Sequence, residues 1–192
     1  MGEHSINCDG QGAAGGGADA FGVLGLPRRF DIDSAELDRA YLRRAAQAHP
    51  DVSGLSDEES QRQQAALNDA RAELADAERR ANLLLSLLGG PSKERDKTLP
   101  PGFLMEIMET REEIEAALAT REPAARTRWT AWAAEQRAGY VARVTPLFAR
   151  ASAGDASTLP EIRRELNAWR YIERLVEQLD PAYDPSKADF ER

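Results

Sequence analysis

From Asp57 to Leu88 the chain runs without a glycine or proline through Ala, Leu, Glu, Gln and Arg, residues that lose little on entering a helix. A run of that length commits this part of the chain to helix, with Asp76 as the expected break. No other stretch alternates apolar and polar residues in the strand manner, and no Asn-Gly pair marks a hairpin. The expected fold class is therefore all-α.

The remaining helices are set by their breakers and caps. Phe21 to Leu26 is a short apolar turn of helix ended by Pro27. Asp33 caps the next helix, and Glu36, three residues on, is expected to close a capping box. That helix runs to about Ala48. Pro50 stops it, because proline lacks an amide hydrogen and disfavours helical geometry in the residue before it. Gly89 to Pro101, with glycine and proline at both ends of a charged stretch, is the expected connection between two halves. Three further helices are expected over Phe103–Thr120, Pro123–Ala151 and Leu159–Leu179, with Pro146 a possible kink in the second. They make a three-helix bundle. The expected division is a flexible leader over 1–18, a first helical domain over 19–90, a linker over 91–101, the bundle over 102–181 and a flexible tail over 182–192.

Charge narrows the function. The 192 residues hold 25 Lys+Arg against 33 Asp+Glu, a net charge of −8, the wrong sign for a phosphate-backbone footprint. Nucleic acid is set aside as a partner. Cys8 is the only cysteine, so neither an internal disulfide nor a cysteine-built metal cluster is expected, and a reducing compartment fits. The longest apolar cluster, Leu83 to Leu88, is too short to cross a bilayer. The first nineteen residues have neither the apolar run of a secretory signal nor the arginine spacing of a transit peptide. A cytoplasmic protein with no membrane partner, no cofactor and no metal is expected.

The tripeptide His49-Pro50-Asp51 follows directly on a helix that carries Arg39, Arg43 and Arg44. Pro50 stiffens the turn, His49 and Asp51 project polar groups from it, and the arginines give one helix of an acidic protein a positive face. That suits an acidic partner surface. Taken alone, the tripeptide also reads as an ordinary helix-stop turn. A catalytic reading, with His49 as base and Asp51 as its orienter, lacks any Ser or Cys placed to act as nucleophile. No enzyme activity is expected.

A second candidate surface comes from periodicity. At about 100° per residue, Phe103, Ile107, Ile114 and Leu118 share one side of their helix, while Met105, Met108, Glu109 and Glu112 fall on roughly the opposite side. Methionines on an outward face suit a binding surface, although scattered surface apolars also occur without function. In the last helix Ile162, Leu166, Trp169, Ile172 and Val176 form the core stripe, with Tyr171 and Leu175 expected to stand off it as an exposed pair. Trp129, Trp132, Gln136, Tyr140 and Val144 are expected in the bundle core. His4 is expected in solvent, and Glu106, Glu112, Glu113 and Glu115 make a solvated helix face rather than a metal cage.

The segment Ala40-Tyr41-Leu42-Arg43-Arg44-Ala45-Ala46-Gln47-Ala48-His49-Pro50-Asp51 resembles the second helix and loop of J-domains. The match is closer to one branch of them. Phe21-Gly22-Val23-Leu24-Gly25-Leu26-Pro27, Asn68-Asp69-Ala70, Arg80-Ala81-Asn82-Leu83-Leu84-Leu85, and Phe103-Leu104-Met105-Glu106 with Arg111-Glu112-Glu113 are similar, in order, to segments of the HscB family, co-chaperones of iron–sulfur cluster assembly. The resemblance covers about Asp19 to Leu179. It implies an L-shaped protein whose J-domain stimulates the ATPase of an HscA-type, DnaK-like chaperone, and whose bundle holds an IscU-like scaffold protein and delivers it. By the same resemblance Tyr41, Arg39, Arg43, Arg44, His49, Pro50 and Asp51 bind the chaperone, and Leu104, Met105, Met108, Glu109, Glu112 and Tyr171 bind the scaffold. A J-domain adaptor for a different client stays open as an alternative. Three residues depart from the family pattern: Arg44 stands where a core leucine is usual, Ala48 where an aromatic precedes the loop, and Val52 where a lysine follows it. They imply thinner packing of this helix and a weaker positive patch. The cysteine-rich zinc module that some eukaryotic members add has no counterpart here.

Overall fold

The computed structural model describes residues 18–49, 54, 56–119 and 124–177. Every regular element among them is helical: α1 (Ala20–Leu24), α2 (Ser34–Gln47), α3 (Asp57–Ala75), α4 (Ala77–Leu87), α5 (Phe103–Ala119), α6 (Ala125–Ser152) and α7 (Leu159–Glu177), with a single 3-10 turn at Ala156–Thr158 before α7. The expected leader and tail, with Cys8 and His4, fall almost wholly outside the described residues, as do Pro50, Asp51 and Val52. The side chains of Leu118 and Val176, expected in the core, lie outside them too.

Local chemistry sets the helix ends. Asp19 caps α1, its carboxylate accepting from the Gly22 amide at 3.1 Å, and the helix ends on Gly25 at φ +66°. The Arg44 guanidinium lies over Gly25 so closely that a Cβ there would stand 2.7 Å from Nη2. The left-handed backbone favours glycine at this position, and a Cβ would also push the Arg44 guanidinium aside. Asp33 caps α2 through the Glu36 amide at 2.7 Å, but the expected capping box is not closed. The Glu36 carboxylate turns to Arg29 instead, at 2.5 Å. A full box forms at the start of α3, where Ser56 and Glu59 bond each other's backbone amides. Asp76 breaks the long run as expected. Its ψ of 118° ends α3, and its carboxylate takes the Arg79 amide to start α4.

The first half packs α1 and α2 on α3, around Phe21, Leu24, Leu37, Ala40, Leu67 and Leu74. In the second half α5, α6 and α7 form the bundle around Ile114, Val144, Phe148, Ile162 and Leu166, and α6 runs as one helix through Pro146. The halves share one continuous buried cluster. Two contacts join them: Phe30 stacks on Phe148 of α6 at 5.1 Å between ring centroids, and α4 packs against α7. Arg80 ties the joint, donating to the Phe30 carbonyl at 2.9 Å and to that of Leu74, with its guanidinium over the Phe30 ring. The connection between the halves is fastened to α7, where the Asn167 amide donates to the carbonyls of Asp96 and Thr98.

Two expectations for the bundle are corrected. Leu175, expected beside Tyr171 as an exposed residue, is buried at 5% exposure. Because α7 packs against α4, α5 and α6 together, its covered arc is wider than the single stripe that periodicity defines. Trp132 and Gln136, expected in the core, are only half-buried, whereas Trp129, Tyr140 and Val144 are buried.

Candidate functional site

Two surfaces collect the candidate residues. The first is the end of α2. The helix turns its Leu37, Ala40 and Ala48 side inward, and this leaves Arg39, Leu42 and Arg43 exposed on the outer face. Leu42, 64% exposed between two arginines, was not among the candidates read from the sequence. Its signal was its place at three and one residues from the two arginines on the same face.

The other candidates of this helix point elsewhere. Tyr41 lies in the seam between α2 and α3. Its hydroxyl donates to Asn68 Oδ1 at 2.8 Å and accepts from Gln64 Nε2 at 3.0 Å, and the Arg71 guanidinium covers its ring. Arg71 also grips Asp38 with two nitrogens, at 2.8 and 3.0 Å. Arg44 is exposed like Leu42 and Arg43, and its guanidinium lies over Gly25 of α1, where a leucine would have filled the seam. Ala48 is buried, and its carbonyl accepts a hydrogen bond from the Ser60 hydroxyl at 2.5 Å. Residue 60 on α3 thus anchors the last turn of α2, one residue before His49. His49 itself is exposed. Its partners in the tripeptide lie outside the described residues.

The second surface is the start of α5. Phe103, Ile107 and Ile114 are buried, while Leu104, Met105 and Met108 are 53%, 71% and 61% exposed. Glu109 and Glu112 share the exposed side. Tyr171 of α7, 39% exposed, is brought to this helix by packing: its ring meets Phe103 edge-on at 5.8 Å. The result is an apolar area edged by carboxylates. The described residues contain six exposed large hydrophobics. Five of them, all but Leu87, fall on these two surfaces.

Among the described residues no group of three or more His, Cys, Asp or Glu stands together to hold a metal ion, and no helix is long and apolar enough to cross a membrane. The strongly shifted groups sit between the halves and inside the bundle. Burial between α4 and α7 pushes Glu78 up to about 7, against the pull of Arg170. Burial likewise pushes Tyr140 up to about 12, with Arg143 over its ring opposing it. For Glu173, burial is outweighed by hydrogen bonds from Arg137 and Trp169, which hold its carboxyl below the usual range.

The DnaJ domain matches residues 19–83 and the HSCB C-terminal oligomerisation domain residues 99–180. The chain is 34% identical over 164 residues to the Co-chaperone protein HscB homolog of Paraburkholderia phymatum, an alignment covering 83% of this chain and 90% of that one. It is 42% identical over 106 residues to the homolog of Chromobacterium violaceum, covering 53% of this chain and 61% of that relative, so there the match spans about three fifths of the relative's length. Its structure is similar to that of chaperone HscB from Vibrio cholerae, with a TM-score of 0.61 and 29% identity over 84% of this chain and 95% of the other. Those relatives are co-chaperones. The chain, a J-domain followed by the HscB C-terminal domain, belongs to the HscB co-chaperone family.

Proposed function

We propose that this co-chaperone serves iron–sulfur cluster assembly by joining two partners: an HscA-type, DnaK-like ATPase chaperone at the J-domain, and an IscU-like scaffold protein at the bundle. The division of labour follows 19–90 for the J-domain and 102–181 for the bundle. Arg39, Arg43, His49, Pro50 and Asp51 meet the chaperone directly. Arg44, exposed beside Arg43, adds to the positive face that meets it, and Tyr41 contributes by holding α2 in place. Leu104, Met105, Met108, Glu109, Glu112 and Tyr171 take the scaffold.

The observation that carries this reading is the apolar, carboxylate-edged area at the start of α5. An unpaired patch of 53–71% exposed Leu and Met on an acidic protein is costly to leave in water unless a partner covers it, and flexible methionine adapts to such a partner. On the J-domain, Arg39 and Arg43 supply positive charge against an acidic chaperone surface. The chain thereby changes the rate of another protein's ATP hydrolysis and performs none of its own.

A stimulated-ATPase assay and a scaffold-binding titration separate the two roles. Asp51→Asn is expected to return chaperone turnover to its unstimulated rate with scaffold affinity intact. Met105→Ala with Met108→Ala is expected to weaken scaffold binding by about tenfold or more and to leave stimulation by the co-chaperone alone unchanged. Stimulation that survives Asp51→Asn removes the loop from the mechanism, and scaffold affinity that survives the methionine pair removes the α5 surface.

A further inference from the structure

Among the large hydrophobics of the described residues, only Met105 is more exposed than Leu42 of α2, at 64%. On a helix surface the neighbours of a residue are those three and four positions away, here Asp38, Arg39, Ala45 and Ala46. Asp38 is drawn to the seam with α3, where Arg71 grips it at 2.8 Å. Toward His49 stand only the two alanines, too short to cover a leucine. Tyr41, the residue before, is committed to the same seam through Asn68 and Gln64. The chain therefore gives Leu42 no cover of its own. It holds the side chain out between the exposed Arg39 and Arg43, about 10 Å along the helix axis from His49, on a protein whose net charge is −8.

We propose that Leu42 is the apolar anchor of the docking face on α2, seating in a nonpolar pocket rimmed by carboxylates on the ATPase chaperone. The inference rests on the reading of α2 as the face that meets the chaperone, and it adds a contact of a different kind. Arginines attract an acidic surface at a distance, and salt screens that attraction. A leucine entering a matching pocket acts at contact, in proportion to the apolar area it removes from water, and sodium chloride does not screen it. The charged and apolar parts fit one partner surface, because Arg39 lies three residues before Leu42 and Arg43 directly after it. Ala45 and Ala46 leave room for the rim of the pocket to close on the helix.

Stimulation of an HscA-type chaperone's ATPase by the full chain, titrated at several sodium chloride concentrations, tests the anchor. Leu42→Ala is expected to raise the half-stimulating concentration about tenfold and to keep the salt dependence, whereas Arg39→Gln with Arg43→Gln flattens that dependence. Leu42→Met keeps an apolar side chain of similar volume and is expected to stay within about twofold of the unaltered chain. Leu42→Lys separates the anchor from attraction by charge alone. One more cation on this face tightens a purely electrostatic contact, but a lysine that must leave water for a nonpolar pocket weakens an apolar one. Because residue 42 stands in solvent, these variants retain the fold, checked by circular dichroism and by unchanged scaffold affinity. A half-stimulating concentration for Leu42→Ala equal to that of the unaltered chain, or tighter docking by Leu42→Lys, overturns the proposal and leaves the docking role of α2 standing. Absence of stimulation by the unaltered chain overturns that role and the proposal together.

Discussion

Ser60 shows how one small side chain bears on a loop it does not belong to. Its hydroxyl is the partner of the Ala48 carbonyl, at 2.5 Å within a buried contact, and the next residue is His49. Ser60→Ala leaves that carbonyl buried and without the hydroxyl, at a cost of about 1–3 kcal/mol. Chemical denaturation is expected to register the loss as a lower midpoint at unchanged slope. Because the last turn of α2 then loosens directly before the tripeptide, stimulation of the partner chaperone is expected to fall as well, at temperatures where the variant is fully folded. Gly25 answers to a different constraint: at φ +66° beneath the Arg44 guanidinium, Gly25→Ala must strain the backbone and displace Arg44 together. Neither contact is visible to a sequence reading. Ser60 sits on a polar stretch of α3 and pairs across the seam, and the approach of Arg44 to Gly25 depends on how α1 and α2 cross.

At the scale of elements, what the chain order dictates locally was legible and what depends on neighbours was not. The break at Asp76, the stop near Ala48 and the outward faces of Met105 and Met108 follow from caps, proline and helical period. Each is a property of residues within one or two turns. Leu175 and Glu36 defeated the same reasoning for a shared reason. Leu175 is covered because α7 has three neighbours, and Glu36 leaves its own helix cap for Arg29, a residue before the helix begins. The seam between α2 and α3 is likewise tertiary, since Tyr41, Gln64 and Asn68 meet only when the two helices lie side by side. Tyr41→Phe keeps the ring under Arg71 and removes the hydroxyl. A loss of about 1 kcal/mol is expected, and amide exchange in α2 should rise more than in α6, which would show that the hydroxyl holds the pair of helices rather than the whole chain.

Across the whole molecule, the two halves are held at a joint that combines an aromatic stack, Phe30 on Phe148, with charged groups taken partly out of water. Arg80 is satisfied there by two carbonyls, whereas Glu78 is not given an equivalent partner. Burial raises its carboxyl to about 7, Arg170 pulls it down, and Glu173, Asp76 and Glu177 push it further up. The sign of the consequence follows from linkage. An unfolded Glu78 titrates near 4.5, so between that pH and about 7 the folded chain binds the extra proton, and stability falls as pH rises through this window. The penalty is fully present above about pH 7 and absent below the unfolded value. For a shift of this size it is at most about 3 kcal/mol, less where water reaches the carboxylate. Glu78→Gln removes the ionisation and keeps the shape. Measured by urea unfolding, the variant is expected to exceed the unaltered chain in stability at pH 8, with the difference shrinking toward zero at pH 5. A difference that stays constant with pH would mean that Glu78 remains ionised within the joint, with Arg170 as an effective partner. Since α4 meets the bundle through this residue's surroundings, the same pH range should loosen the contact between the J-domain and the bundle, seen as faster amide exchange in α4 and α7 at pH 8 than the chemical rate alone accounts for, and abolished in Glu78→Gln.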